Sequence, residues 1–362
     1  MSKIRLVVAL LALLTATAAQ AQEKVVKVYN WSDYIDPQIL EDFTRETGIK
    51  VVYDVYDSND VLETKLLAGN TGYDLVVPTG TFLARQIQAG VFQELDKSKI
   101  PNWRNLDPQL MAEAAKYDPG NRHAFIYMWG TTGLAYNVDK IKERMPDAPL
   151  DSWRLLFDPE VAKNFADCGI MILDSSEDVF PIALNYIGEE PDSKDPAALE
   201  KAAEMLQKIR PYVRKFHSSE TINALANGDI CMALMYSGDA GIAATRAEEA
   251  GNGVNVEYVI PREGTLLWFD MMAMPADAPS PDNAYAFMNY LLQPEVMAKS
   301  SNYVTYPNAV PASYAMIEDE VKSDPNLFPP DELKAKLFVN TPYDQRVQRV
   351  VTRLWTRLTT GG

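Results

Sequence analysis

Tyr29-Asn30-Trp31-Ser32-Asp33-Tyr34-Ile35 decides how this chain is read. The apolar run before it, Val25, Val26 and Val28, predicts the first strand, and Asp36-Pro37 after it opens an amphipathic helix to about Thr47. A strand that hands over directly to a helix leaves its connecting residues in a crevice at the strand's carboxyl end. Open α/β sheets place ligands there. The rings of Trp31 and Tyr34 with the carboxylate of Asp33 suit a ligand that is both apolar and positively charged. Taken alone, the same residues serve equally as core aromatics and a helix-entry cap. The rest of the chain has to decide.

The pattern repeats downstream. Residues 49–56 are a β-branched run behind the helix-ending Gly48, and Asp57-Ser58-Asn59 offers caps for a helix through Ala68. Residues 73–78 read as a short buried strand, and Thr79-Gly80-Thr81 as the turn into a helix from Phe82 to about Ala89. This alternation predicts a parallel α/β layer. It holds no G-x-G-x-x-G and no G-x-x-x-x-G-K-[ST], so its loops are not those of a nucleotide binder. Residues 124–136 are extended and apolar, as a crossing between lobes would be.

A second α/β unit follows. It comprises the loop Asp174-Ser175-Ser176-Glu177-Asp178, helices over about 179–187 and 196–209, and His217-Ser218-Ser219 capping a helix that ends at Asn227-Gly228. A strand over 230–235 then leads through Tyr236-Ser237-Gly238-Asp239 into a helix to about Ala250. Residues 254–260 read as the return crossing, 266–274 as a strand in or beside the first lobe, and 282–292 and 343–358 as helices. The expected division is a leader over 1–21, lobe 1 from 22–128 plus about 260–276, and lobe 2 from 129–259 plus about 277–362. Two α/β lobes joined by extended hinge crossings imply a ligand held between them.

The first residues predict the compartment. Lys3 and Arg5 precede an apolar stretch over 6–14, and Ala19-Gln20-Ala21 is a small-x-small cleavage site. This is the pattern of a secretory signal peptide cleaved after Ala21, with Gln22 the first mature residue. No cysteine follows the site to take a lipid anchor, and no later apolar run is long enough to span a membrane. The expectation is an exported, soluble, monomeric protein. Loss of the leader's two positive charges takes the formal net charge from −16 to −18, which repels nucleic acid and favours cations. An even pair of cysteines, Cys168 and Cys231, suggests one disulfide in an oxidising compartment, with two buried thiols as the alternative.

The turns share one chemical theme. Asp33 follows Trp31, Glu177 and Asp178 sit in a hydroxyl-rich turn, and Asp239 follows Tyr236. Trp268 and Asp270 are two apart on a strand and share a face, and Tyr306 lies in a loop after a helix. None of these junctions brings a cluster of Lys or Arg. The set suits a flexible chain with an ammonium at each end. Carboxylates return the desolvation cost of each ion, and ring faces cover the methylenes between.

Enzymatic readings are thin. The two histidines, His123 and His217, have no metal-ligand spacing with Cys, Asp or Glu, and there is no G-x-S-x-G elbow. No catalytic residue, metal or cofactor is expected. The one enzyme class left open is a secreted carboxylate-pair glycoside hydrolase, whose clefts are also acidic and aromatic-walled.

Several stretches carry a family resemblance. They are residues 29–35, 46–55 and 136–140, Leu225-Ala226-Asn227-Gly228-Asp229-Ile230-Cys231, Leu267-Trp268-Phe269-Asp270 and Arg353-Leu354-Trp355-Thr356-Arg357. The chain resembles the bacterial periplasmic putrescine- and spermidine-binding proteins of ABC polyamine importers, over essentially its whole mature length. The resemblance implies a type II periplasmic-binding fold and delivery of the ligand to an inner-membrane permease. It implies an aromatic box of Trp31, Tyr34, Tyr236, Trp268 and Tyr306, with Asp33, Asp178, Asp239 and Asp270 as the ammonium-binding acids. It places Ser32, Thr79 and Thr81 beside the ligand and pairs Cys168 with Cys231. Asp178 stands where relatives commonly carry Glu, with Glu177 just before it as a further possible contact. The choice among putrescine, spermidine, cadaverine and agmatine stays open.

Overall fold

The computed structural model describes residues 24–325 and 327–361. The leader and its expected cleavage after Ala21 lie outside the described residues. Strand β1 (Val25–Trp31) runs parallel to β2 (Lys50–Tyr56) on one side and β3 (Leu75–Val76) on the other. Helix α1 (Pro37–Thr47) connects the first two. Its start is set by Asp36, whose carboxylate accepts the Gln38 N–H, and by Pro37 in the first turn. Gly48, at φ +70°, ends it with an N–H to the Thr44 carbonyl, and Ile39 and Phe43, four apart, face inward. Ser58 caps α2 (Asn59–Ala68), and Thr79 precedes α3 (Gly80–Gln88).

The second half repeats the scheme after strand β4 (Ala124–Asn137). It contains β5 (Ile170–Ile172), α4 (Ser176–Tyr186), α5 (Pro196–Ile209), β6 (Val213–Phe216), α6 (Glu220–Ala226), β7 (Met232–Tyr236), α7 (Ser237–Ala250) and β8 (Val256–Val259). Cys168 and Cys231 form a disulfide there, tying the approaches to β5 and β7 together. The chain ends with β9 (Thr265–Ala273), α8 (Pro281–Leu291), α9 (Pro294–Val304), β10 (Leu337–Phe338) and α10 (Gln345–Thr360).

Strand order is β2-β1-β3-β9-β4-β7-β5-β6, with β8 on β4 and β10 on β9. The long β4, buried throughout, joins the two halves. Up to Thr131 it pairs antiparallel with β9, and from Thr132 onward it pairs with β7. Two separate hydrophobic cores result, one around Val26, Phe43 and Phe125, the other around Trp153, Phe180 and Leu234.

Two expectations are corrected. Residues 254–260 are not the return crossing. β8 pairs only with the far half of β4, and Tyr258 and Ile260 belong to the second core. The return is made by β9, with Leu266 in the second core and Trp268 in the first. Nor does everything after 277 join lobe 2. α8 and α9 pack in the first core, where the Phe287 ring meets Phe43 at 5.0 Å, while Leu327, β10 and the terminal α10 lie with the second, α10 docking through Val347, Val351, Leu354 and Leu358. An apolar helix face records that a helix must pack but not against which sheet.

Candidate functional site

A cleft of about 320 Å³ lies between the lobes, where strands give way to helices. Trp31, Ser32, Asp33 and Tyr34 enter it from the β1–α1 junction, and Thr79 and Thr81 from the start of α3. Glu177 and Asp178 come from the first turn of α4, Tyr236 and Asp239 from the β7–α7 junction. Trp268 and Asp270 project from β9 and Tyr306 follows α9. Every residue singled out as a candidate contact therefore borders one cavity.

Three carboxylates define its chemistry. Asp270 accepts from the Tyr34 hydroxyl at 2.8 Å and from the Thr79 hydroxyl at 2.7 Å. Asp239 accepts from the Tyr306 hydroxyl at 3.0 Å, and that same hydroxyl accepts the Asp239 N–H at 3.1 Å. Asp178 accepts from Ser175, from Thr132 at 3.1 Å and from Tyr236 at 3.1 Å. All these donors are neutral, and among the described residues none of the three acids makes an ion pair. Burial pushes Asp178 up to about 6 and Asp239 and Asp270 up to about 7, against the lowering pull of the hydroxyl bonds. The acids are held in place without an ion-pair partner, and Arg246 exerts only a minor lowering pull on Asp239.

The aromatic wall is continuous. The ring of Tyr34 meets Tyr306 at 5.3 Å, Tyr306 meets Trp268 at 5.4 Å, and Trp268 meets Tyr236 at 5.4 Å, all edge to face. Glycines let these rings lie against backbone. A Cβ on Gly238 would stand 2.2 Å from the Tyr306 ring, and one on Gly130 would stand 2.7 Å from Trp268. Trp31 stands apart, tilted on Tyr56 at 4.8 Å with its indole N–H donated to the Val77 carbonyl at 2.9 Å.

Asp33 differs from the other acids. It sits at the rim in the left-handed region, at φ +54°, with its side chain 49% exposed, 3.4 Å from Arg246 on the opposite lobe. Arg246 also borders the cleft, as do Asn59 and Ser175, which the sequence reading left out of the contact set. Asn59 donates to the Thr79 hydroxyl at 2.9 Å, so it positions an Asp270 partner. Arg246 is not at a strand–helix junction, where the sequence shows no arginine. It reaches in from the third turn of α7, where a charge on a helix reads as solvated surface.

Two lobes closing on a cavity at their strand–helix junctions are the architecture of a solute-binding protein. Residues 38–329 match the family described as bacterial extracellular solute-binding protein. The chain is 51% identical to the putrescine-binding periplasmic protein of Escherichia coli strain K12, over 98% of this chain and 96% of that one. It is 52% identical to the putrescine-binding periplasmic protein of Pseudomonas aeruginosa, over 95% and 94%. The solved spermidine/putrescine ABC transporter substrate-binding protein of Streptococcus pneumoniae superposes with a TM-score of 0.77 at 31% identity, covering 93% of this chain and 99% of that one. The chain belongs to the bacterial extracellular solute-binding protein family. Among the described residues no helix is long and apolar enough to cross a membrane.

Proposed function

We propose that this protein is a periplasmic receptor for polyamines, putrescine and/or spermidine, which it holds between its lobes and delivers to an inner-membrane ABC permease. The observation that carries the reading is the set of three sunken carboxylates, contributed by both halves and lacking an ion-pair partner, around a wall of four rings. A diammonium chain supplies what that set lacks. Its ends satisfy the acids by charge-assisted hydrogen bonds, its methylenes lie on ring faces, and a ligand bridging both halves favours the closed state. The relatives' names point the same way. Export through the leader and cleavage after Ala21 belong to this reading, as does a monomer that meets its permease transiently.

The contacts assigned to the ligand are Asp178, Asp239 and Asp270 for the ammonium ends and Tyr34, Tyr236, Trp268 and Tyr306 for the chain. Trp31, Ser32, Thr79 and Thr81 line the approach, and Asp33 guards the mouth. Arg246 does not turn the site toward amino acids, because its guanidinium already faces Asp33. The protein is read as a binder and not as a hydrolase of sugars, in keeping with the receptors it resembles. A calorimetric series over 1,3-diaminopropane, putrescine, cadaverine, agmatine and spermidine tests the reading. Binding to at least one of them at micromolar affinity or better, about −8 kcal/mol, is expected. Heat from none of them would refute it.

A further inference from the structure

The acids bordering the cleft differ in what holds them. Glu177 takes the Arg85 guanidinium at 2.6 Å and Asp33 lies 3.4 Å from Arg246, whereas Asp178, Asp239 and Asp270 rely on hydroxyls. A hydroxyl both donates and accepts, so it suits a carboxylate and a protonated acid alike unless something fixes its proton. At Asp270 something does. The Thr79 N–H can only donate, so the Asn59 amide turns its Oδ1 to that N–H, at 3.1 Å, and its Nδ2 to the Thr79 hydroxyl, at 2.9 Å. The hydroxyl oxygen receives the amide proton and directs its own proton at Asp270, 2.7 Å away. Thr79 stands at the N-cap of α3, where a threonine hydroxyl ordinarily accepts from the first N–H groups of the helix, yet it makes no such bond. Asn59 is itself held in the first turn of α2, which Ser58 caps. The titratable groups about Asp270 are Tyr34, Tyr56, Tyr127, Tyr236 and Tyr306, all kept neutral by burial, and the acids Asp178 and Asp239. None of these is a cation.

We propose that Asn59 is a positioning residue for ligand capture: it acts through Thr79, locking that hydroxyl as a donor to Asp270 and so holding Asp270 as an acceptor-only carboxylate before the ammonium arrives. The inference deepens the polyamine reading above and rests on it. Without the amide, the Thr79 hydroxyl is free to turn and accept from a protonated Asp270. The neutral acid then gains a partner that it lacks in the wild type. Asp270 holds its proton to a higher pH, and an ammonium must displace it. The loss of affinity is therefore largest where the acid is protonated and vanishes where it is ionised in any case. An asparagine that merely braced the start of α3 would cost the same factor at every pH.

Titration calorimetry on the wild-type protein and Asn59→Ala, with whichever of putrescine and spermidine binds more tightly, separates these cases. The variant is expected to bind about tenfold more weakly at about pH 6 and within about twofold of wild type at about pH 8.5. Thr79→Ala, with and without Asn59→Ala, shows whether the amide acts through the hydroxyl. That background keeps the Thr79 N–H bond to Asn59 and removes the hydroxyl, so adding Asn59→Ala is expected to change affinity by less than about twofold at either pH. In a Thr79→Ser background, which restores a hydroxyl, the pH-dependent loss returns. Asn59→Ser, too short to make both bonds, reports the same comparison should the alanine variant not fold. An equal loss at both pH values, or a loss that persists in the Thr79→Ala background, would overturn the assignment while leaving the receptor reading intact. A wild-type protein that binds neither amine at either pH would remove that reading itself.

Discussion

Asp270 is the residue on which the cleft's chemistry turns, since Tyr34, Thr79 and, through Thr79, Asn59 are arranged around it. Replacing it by Asn keeps an acceptor for those hydroxyls and removes the charge. Asp270→Asn is expected to weaken putrescine binding by about 2–5 kcal/mol, because one ammonium end is left buried without its anion. The same change should not lower the melting temperature of the ligand-free protein, since it also removes a poorly solvated charge. Calorimetry and a thermal melt on one preparation check both halves, and undiminished affinity would exclude Asp270 as an ammonium site. Gly238→Ala tests the ring wall. Its methyl would collide with the Tyr306 ring, so a loss of about 1–3 kcal/mol in stability is expected, together with weaker binding as Tyr306 leaves Asp239. At this scale the acids and rings were legible because strand–helix junctions mark themselves in sequence. Arg85 and Arg246 were not. Each sits on a helix body beyond its junction, and only the fold reveals that an acid from the other lobe faces it.

Among the elements, the disulfide-stapled pair β5 and β7 has the clearest consequence. The bridge closes a loop of 63 residues within the second core, and closure of that length restricts the unfolded chain by about 4 kcal/mol. Reduction, or Cys231→Ser, is expected to destabilise the second lobe by about 2–5 kcal/mol and to lower its unfolding midpoint in urea. Identical midpoints for reduced and oxidised protein would contradict that role. The elements themselves were largely readable. Asp36 and Gly48 bracket α1, and Pro196 opens α5 where expected. The assignment of tail helices to lobes was not readable, because α8 and α9 return to the first core after a crossing whose partner strand lies far back in the chain. The turn of β4 from one partner to the other at Thr131–Thr132 leaves no mark in an unbroken apolar run.

For the whole molecule, three acids raised toward neutrality couple binding to pH. Their folded values, about 6, 7 and 7, exceed that of a free carboxyl near 3.8, so the native state holds extra protons in between. The stability these groups lend the ligand-free protein is therefore present below about pH 4 and lost as pH rises through 6 to 7. A dication prefers the ionised acids, so affinity should run the opposite way. Putrescine is expected to bind at least about tenfold more tightly at pH 8 than at pH 5.5, releasing protons as it binds, and a flat profile would show the three acids already ionised in the free cleft. The central claim is that acids from two lobes grip both ends of one short chain. Calorimetric titration of the mature protein at pH 8 with 1,4-diaminobutane and with 1-aminobutane, equal in carbon number and differing by one ammonium, tests it most directly. The diamine should bind at micromolar affinity or better and the monoamine at least about a hundredfold more weakly; equal affinities for the two would contradict the claim.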